Sequence, residues 1–181
     1  SHVARVAKAM GMDVIAFDPF ISADRAQQMQ VRLTQLNELF RTADYITLHI
    51  PRTPDTENLV NAELLRSMKP TARLVNCARG GIVDEAAIAE AINTGVIAGA
   101  GLDVFASEPL AVESPLRAVE RGLVLTPHLG ASTEEAQENV AIDVAEQIRD
   151  VLLGLPARSA VNIPGLSAEI MERLKPHLQL A

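Results

Sequence analysis

Four side chains in this sequence could do chemistry if the fold brought them to one place. His128 stands in Pro127-His128-Leu129-Gly130, Arg79 in Cys77-Ala78-Arg79-Gly80-Gly81, Glu108 in Ala106-Ser107-Glu108-Pro109, and Asp18 in Phe17-Asp18-Pro19. An imidazole gives and takes protons near neutral pH. A guanidinium grips a carboxylate through two parallel hydrogen bonds. The glycines after Arg79 let the backbone approach a ligand closely. A carboxylate beside an imidazole fixes the ring and favours its charged form. Each residue also has an ordinary reading taken singly: Asp18 as a turn cap, Arg79 as a surface arginine, Glu108 as a solvated loop acid.

Competing chemistries are weaker. One cysteine and four scattered histidines offer no metal-ligand spacing. No Gly-x-Ser-x-Gly elbow presents a serine nucleophile. Cys77, at the end of an apolar run, reads as a small buried core residue. His49 reads as structural, and His2 and His177 as solvated.

The elements that must carry these residues follow from periodicity. Val3, Val6, Ala7 and Met10 recur at helical spacing before Gly11. Val14–Phe17 reads as a strand, Ser22 as the cap of a short helix through Met29, Val31–Leu33 as a weak strand and Leu36–Thr42 as a helix. Tyr45–Ile50 is a strand stopped by Pro51, and Asn61 caps a helix that ends before Pro70. Arg73–Cys77 is a strand, Asp84 caps Glu85–Thr94, and Ala98–Asp103 and Leu123–Thr126 are strands. Ser132 and Glu135 read as a capping box for the last helix. That helix shows Ala136, Val140, Val144, Ile148 and Val151 on one stripe. Strand–helix alternation with bounded apolar strands predicts an α/β, Rossmann-like, doubly wound parallel sheet with strands buried on both faces. Ligands of such sheets sit beyond the strands' carboxyl ends. Five of the six expected strands end in Asp18, His49-Ile50-Pro51, Cys77 to Gly81, Asp103, or Thr126 to Gly130. A helix, a glycine, a strand and then Asp18 match the second half of a dinucleotide-binding unit. There the acid accepts from the adenosine ribose and repels a 2′-phosphate, which favours NAD over NADP.

Composition narrows the partners. The 181 residues carry 16 basic and 23 acidic side chains, a net charge of −7, with no basic cluster, so neither nucleic acid nor an anionic membrane is an expected partner. The single Cys77 forms no internal disulfide, which fits a reducing, cytoplasmic setting. No apolar run approaches the roughly 20 residues that span a bilayer.

Three segments carry a family resemblance. Asn76-Cys77-Ala78-Arg79-Gly80-Gly81-Ile82-Val83-Asp84-Glu85, then Gly101-Leu102-Asp103-Val104-Phe105 with Glu108-Pro109, then Pro127-His128-Leu129-Gly130-Ala131, resemble the signatures of the D-isomer-specific 2-hydroxyacid dehydrogenases. Ala131-Ser132-Thr133 and Ala160-Val161-Asn162-Ile163-Pro164-Gly165 resemble the branch that oxidises 3-phospho-D-glycerate with NAD⁺ at the entry to serine synthesis. The resemblance implies that Arg79 binds the substrate's carboxylate and carbonyl oxygen, that His128 exchanges the hydroxyl proton, and that Glu108 pairs with His128. It implies further that Asp18 binds the ribose and Asp103 the nicotinamide carboxamide. Pro51, Thr53, Cys77, Ala78, Arg79, His128 and Gly130 then line the cofactor. Two other activities look similar around these residues: a glyoxylate or hydroxypyruvate reductase, and a non-catalytic NAD(H)-sensing corepressor-like module. Asp18 counts against the NADP-using reductases.

Pro156–Pro164, with two prolines and a break in periodicity, is the best linker candidate, so the chain divides into a partial NAD-binding domain, residues 1–153, and a linker leading into another domain, residues 154–181. The resemblance implies that the glycine-rich loop, the first strand and the phosphate-binding half of the substrate domain lie outside these 181 residues. Little activity is then expected of this stretch alone, and a homo-oligomer of the whole protein.

Overall fold

The computed structural model describes residues 2–130 and 132–155. The chain divides into two compact units, Ser1–His128 and Leu129–Ala181. The linker expected from Pro156 onward lies outside the described residues.

The first unit alternates helix and strand. Its helices are α1 (His2–Ala9), α2 (Ala23–Gln28), α3 (Leu36–Thr42), α4 (Ala62–Ser67) and α5 (Glu85–Asn93). Its strands are β1 (Ile15–Ala16), β2 (Arg32–Leu33), β3 (Tyr45–Leu48), β4 (Arg73–Asn76), β5 (Gly99–Leu102) and β6 (Leu123–Leu125), with a 3-10 turn at Pro115–Ala118 before β6. The helix starts follow the capping chemistry read from the sequence. The Ser22 hydroxyl accepts from Arg25 N–H, the Asn61 carbonyl from Glu63 and Leu64, and the Asp84 carboxylate from Ala86 and Ala87. Each fills backbone donors that the first helical turn leaves without partners.

All strand pairs are parallel. β1 and β2 form one ladder, and β3-β4-β5-β6 form a second in sequence order. Ile46, Leu74, Ala100 and Leu123 stand side by side across the larger sheet, as do Leu48, Asn76, Leu102 and Leu125. That face meets α3, α4 and α5 in a core that includes Phe40, Leu65, Leu74, Ile88 and Leu102. Leu74 is fully buried there, and burying a side chain of this size stabilises by roughly 1.5–3 kcal/mol.

Burial on both faces, expected from the sequence, holds for β5, whose Gly99, Ala100 and Leu102 are buried and whose Gly101 is half-buried, but not for β3 or the start of β4. β3 and β4 alternate between exposed and buried residues, with Tyr45, Thr47 and Arg73 on the outer side. Across from Thr47 in the ladder lie Val75, Gly101 and Val124, and Val124 is 64% exposed. Apolar residues at these outward positions make an alternating strand read as a continuous apolar run.

The second unit contains α6 (Glu134–Leu152), whose Val140, Val144, Ile148 and Val151 are exposed. Its cap is Thr133, one residue later than expected: the Thr133 hydroxyl accepts from Ala136 N–H at 3.1 Å. Two adjacent hydroxyl residues serve a helix start equally well by type, so the choice between Ser132 and Thr133 is made by backbone geometry.

Candidate active site at the strand ends

The register of the larger sheet sets the site. Leu48, Asn76, Leu102 and Leu125 pair across β3 to β6, so the four chains leave the sheet level with one another. The next residues along each chain are His49, Cys77, Asp103 and Thr126.

The β4 exit is built on Asn76, which is 1% exposed. Its carbonyl accepts from Ala78 N–H and its amide donates to Arg79 C=O, both at 3.0 Å. One buried side chain thus clamps both sides of the turn that presents Arg79. Gly81 follows at φ +78°, a left-handed conformation that suits glycine. The Arg79 guanidinium is exposed and Nη1 donates to Ala78 C=O. Cys77 is exposed at this turn rather than buried in β4, because the strand ends one residue before it. Partial desolvation, and then the negative charge of Asp103, push its thiol pKa up.

The β5 exit gives Asp103, 5% exposed, whose Oδ1 accepts the Thr126 hydroxyl at 2.5 Å. That bond ties the end of β5 to the end of β6. Two residues beyond Thr126 comes His128, with φ +57°. Histidine is among the few non-glycine residues found with any frequency in this region. His128 Nδ1 lies 2.7 Å from Glu108 Oε2. Glu108 Oε1 accepts Phe105 N–H at 3.1 Å. The hydrogen bond with His128, and then the one from Phe105, hold the Glu108 carboxyl below the usual carboxylate range.

The β3 exit supplies Pro51 and Thr53. Thr56 braces them, donating its hydroxyl to Pro51 C=O and accepting Thr53 N–H, each at 2.8 Å. Asn58 N–H donates to Gly81 C=O at 2.8 Å, which stitches this loop to the Arg79 turn. His49 sits in the open with Nε2 3.1 Å from the Thr47 hydroxyl.

Asp18 follows β1 and is exposed; its Oδ1 accepts Phe20 N–H at 2.9 Å. It lines a cleft of about 360 Å³ together with Phe17, Pro19, Leu33, Thr34 and Gln35. Phe17, Pro19 and Leu33 give it an apolar side, and Asp18, Thr34 and Gln35 a polar one, a lining that suits a flat heterocycle joined to a sugar diol. The nucleoside end of a dinucleotide therefore fits these residues.

The fold thus brings Glu108 into contact with His128, Asp103 with Thr126, and the Arg79 turn into packing contact with the Glu108 loop. Asp18 stands at its own cleft, and Gly130 belongs to the second unit. Asn76 and Glu85, which organise the backbone around these groups, have no role assigned from sequence, and Thr126 is named there only as a strand end. A polar residue closing an apolar strand was the one available signal for Asn76. Among the described residues no cluster of three or more His, Cys, Asp or Glu side chains is arranged to hold a metal ion, and no helix is long and apolar enough to cross a membrane.

The ends of β4, β5 and β6 thus carry a glycine-flanked arginine, a buried aspartate and an imidazole paired with a carboxylate, and the end of β1 carries Asp18 at a separate cleft. Residues 1–130 match the family model described as "D-isomer specific 2-hydroxyacid dehydrogenase, NAD binding domain". The chain belongs to the D-isomer specific 2-hydroxyacid dehydrogenases. D-3-phosphoglycerate dehydrogenase of Synechocystis sp. is 67% identical over 181 residues, covering 100% of this chain and 32% of the relative. The enzyme of the same name from Bacillus subtilis is 46% identical over 182 residues, covering 100% of this chain and 34% of the relative. The chain therefore spans about a third of the length of these relatives. A D-isomer specific 2-hydroxyacid dehydrogenase from Lactobacillus delbrueckii ssp. bulgaricus, solved as its NAD complex, matches with a TM-score of 0.74 and 34% identity, over 88% of this chain and 51% of that one. D-lactate dehydrogenase from Aquifex aeolicus, solved with NAD and lactic acid, matches with a TM-score of 0.71 and 30% identity, over 84% and 50%. This dehydrogenase-family chain accordingly carries an NAD-binding domain of Rossmann type.

Proposed function

We propose that the chain supplies the NAD-binding and proton-transfer part of an enzyme that oxidises 3-phospho-D-glycerate to 3-phosphohydroxypyruvate, the first step of L-serine synthesis. The observation that carries this reading is the pairing of His128 with Glu108 at 2.7 Å. When bound, NAD⁺ supplies the hydride acceptor. With its Nδ1–H given to Glu108, a neutral His128 ring bears its lone pair on Nε2, the tautomer a general base needs. The hydroxyl O–H bond then breaks towards Nε2 while the carbon's hydride departs, leaving a C=O bond. Glu108 faces the positive charge that develops on the ring. Arg79 holds the carboxylate and the reacting oxygen, so that both bonds break in a fixed geometry. Asp18 accepts from the ribose, Asp103 accepts from the carboxamide, and Pro51, Thr53, Cys77, Ala78 and Gly130 line the cofactor.

The high identity to enzymes named D-3-phosphoglycerate dehydrogenase supports the choice of substrate. In the same reading residues 1–153 make the NAD-binding domain and residues 154–181 lead into another domain. Two thirds of the relatives' length lies outside the matched region, so this stretch alone turns over little or no substrate. The whole protein works in the cytoplasm as a homo-oligomer.

The test is His128→Asn in the full-length protein, because asparagine tolerates the left-handed backbone. Turnover of 3-phosphohydroxypyruvate with NADH falls by about 10²- to 10⁴-fold, while NADH binding, followed by its fluorescence, is retained. An unmodified protein that binds NADH but reduces no 2-oxo acid overturns the enzymatic reading in favour of a sensor. Preference for glyoxylate with NADPH overturns the substrate and cofactor choice.

A further inference from the structure

The segment from Phe105 to Ser114 carries Glu108, yet it is a loop, and a loop alone does not hold a carboxylate to a fraction of an ångström. The Arg117 guanidinium holds its second half, donating to Leu110 and Ala111 C=O at 2.8 Å each; the half that carries Glu108 is attached through α5. Glu85, the first residue of that helix, turns away from the helix axis. Its Oε1 accepts Ala106 N–H at 2.7 Å and its Oε2 lies 3.3 Å from the Ser114 hydroxyl, which donates to it. The two contacts bridge 21 and 29 residues of sequence and hold both ends of the loop. The neighbouring Asp84 does the ordinary capping of α5, so Glu85 is not needed for that task. α5 is a firm support: Ala87, Ile88, Ala89, Ala91 and Ile92 are all buried.

The backbone at Phe105 and Ala106 is fixed on three sides. Phe105 N–H binds the Glu108 carboxylate, Phe105 C=O lies against Gly80, and Ala106 N–H binds Glu85. Glu108 in turn holds His128. Glu85 touches neither the imidazole nor the Asp18 cleft, so its influence on proton transfer runs through Glu108.

We infer that Glu85 is a positioning residue for proton transfer: it fixes the loop that holds Glu108 against His128. This rests on the dehydrogenase reading above. Suitable variants in the full-length protein are Glu85→Ala, Glu85→Gln, Glu108→Ala and the double variant Glu85→Ala/Glu108→Ala. Glu85→Ala lowers kcat by about tenfold or more through misplacement of the pair, with the KM for NADH unchanged. Glu85→Gln keeps an oxygen acceptor for Ala106 N–H and restores most of the rate. Adding Glu85→Ala to Glu108→Ala changes the rate by less than about twofold, because the two act as one unit.

Three results overturn the inference. One is a folded Glu85→Ala protein with kcat within about twofold of the unmodified protein, the range of independent, non-coupled effects. Another is full additivity with Glu108→Ala. The third is a loss of thermal stability that leaves kcat and KM of the remaining folded protein unmoved. An unmodified protein without any dehydrogenase activity overturns the functional reading instead, so the two failures are told apart.

Discussion

Gly80 lies so close to Phe105 that a methyl group on its Cα would stand 1.6 Å from the Phe105 carbonyl oxygen. Backbone meets backbone there, so no rotamer change can relieve the overlap. The contact joins the turn that presents Arg79 to the loop that presents Glu108.

Gly80→Ala therefore costs far more than an ordinary loop substitution. One segment must move away, and the expected destabilisation is about 1–3 kcal/mol, the range for forcing an extra methylene into a packed site. Arg79 or Glu108 moves with it. Denaturant melts together with a rate for the 2-oxo acid check this; a variant as stable and active as the parent refutes the rigidity of the contact.

The Glu108 carboxyl titrates below its ordinary range, first through its bond to His128 and then through Phe105 N–H. A depressed folded-state pKa means that the folded form gives up this proton more readily than the unfolded chain. The contribution to stability is therefore present above the unfolded carboxylate value of about 4.3. It is lost as pH falls through the lower, folded value. Glu108→Gln is expected to lower the melting temperature at neutral pH, and the gap to the parent closes in acid. The Glu108 side chain is 37% exposed, so solvent screening keeps the gap small. A constant offset from neutral pH to pH 3 contradicts the assignment.

Cys77 is the sole cysteine of the sequence, which makes its chemistry easy to follow. It is exposed, yet desolvation and Asp103 raise its thiol pKa. The thiolate is the reactive form. Alkylation by iodoacetamide at neutral pH is therefore slower than for free cysteine, and Asp103→Asn speeds it. If Cys77 lines the cofactor, NAD⁺ protects it. A rate indifferent to both Asp103→Asn and NAD⁺ contradicts the two claims together.

Much of this fold is legible in the residues. Ser22, Asn61 and Asp84 name their own helix starts because a short polar side chain before an apolar period has few other uses. Asp18, Arg79 and His128 are findable because parallel sheets deliver their ligands to one edge. The bonds that give the edge its geometry leave no local trace. Glu85 to Ala106 and Asp103 to Thr126 join residues more than twenty apart in sequence, and each member alone reads as an ordinary polar residue. The exposed outward positions of β3 and β6 are hidden for a different reason: Val124 points outward while being apolar, as does the half-buried Val75, so composition imitates burial. Cys77 misleads by a single position, since β4 stops at Asn76.

The left-handed backbone at His128 has a genetic consequence. Single-nucleotide changes of a histidine codon lead to Asn, Asp, Tyr, Gln, Arg, Leu or Pro. Of these, Asn and Asp are the most at ease at positive φ. Loss of the imidazole by these routes leaves the chain well folded around its cofactor cleft. If the proposed dehydrogenase function holds, mutational drift at this one codon offers a short path from a turnover catalyst to a silent receptor for the same dinucleotide.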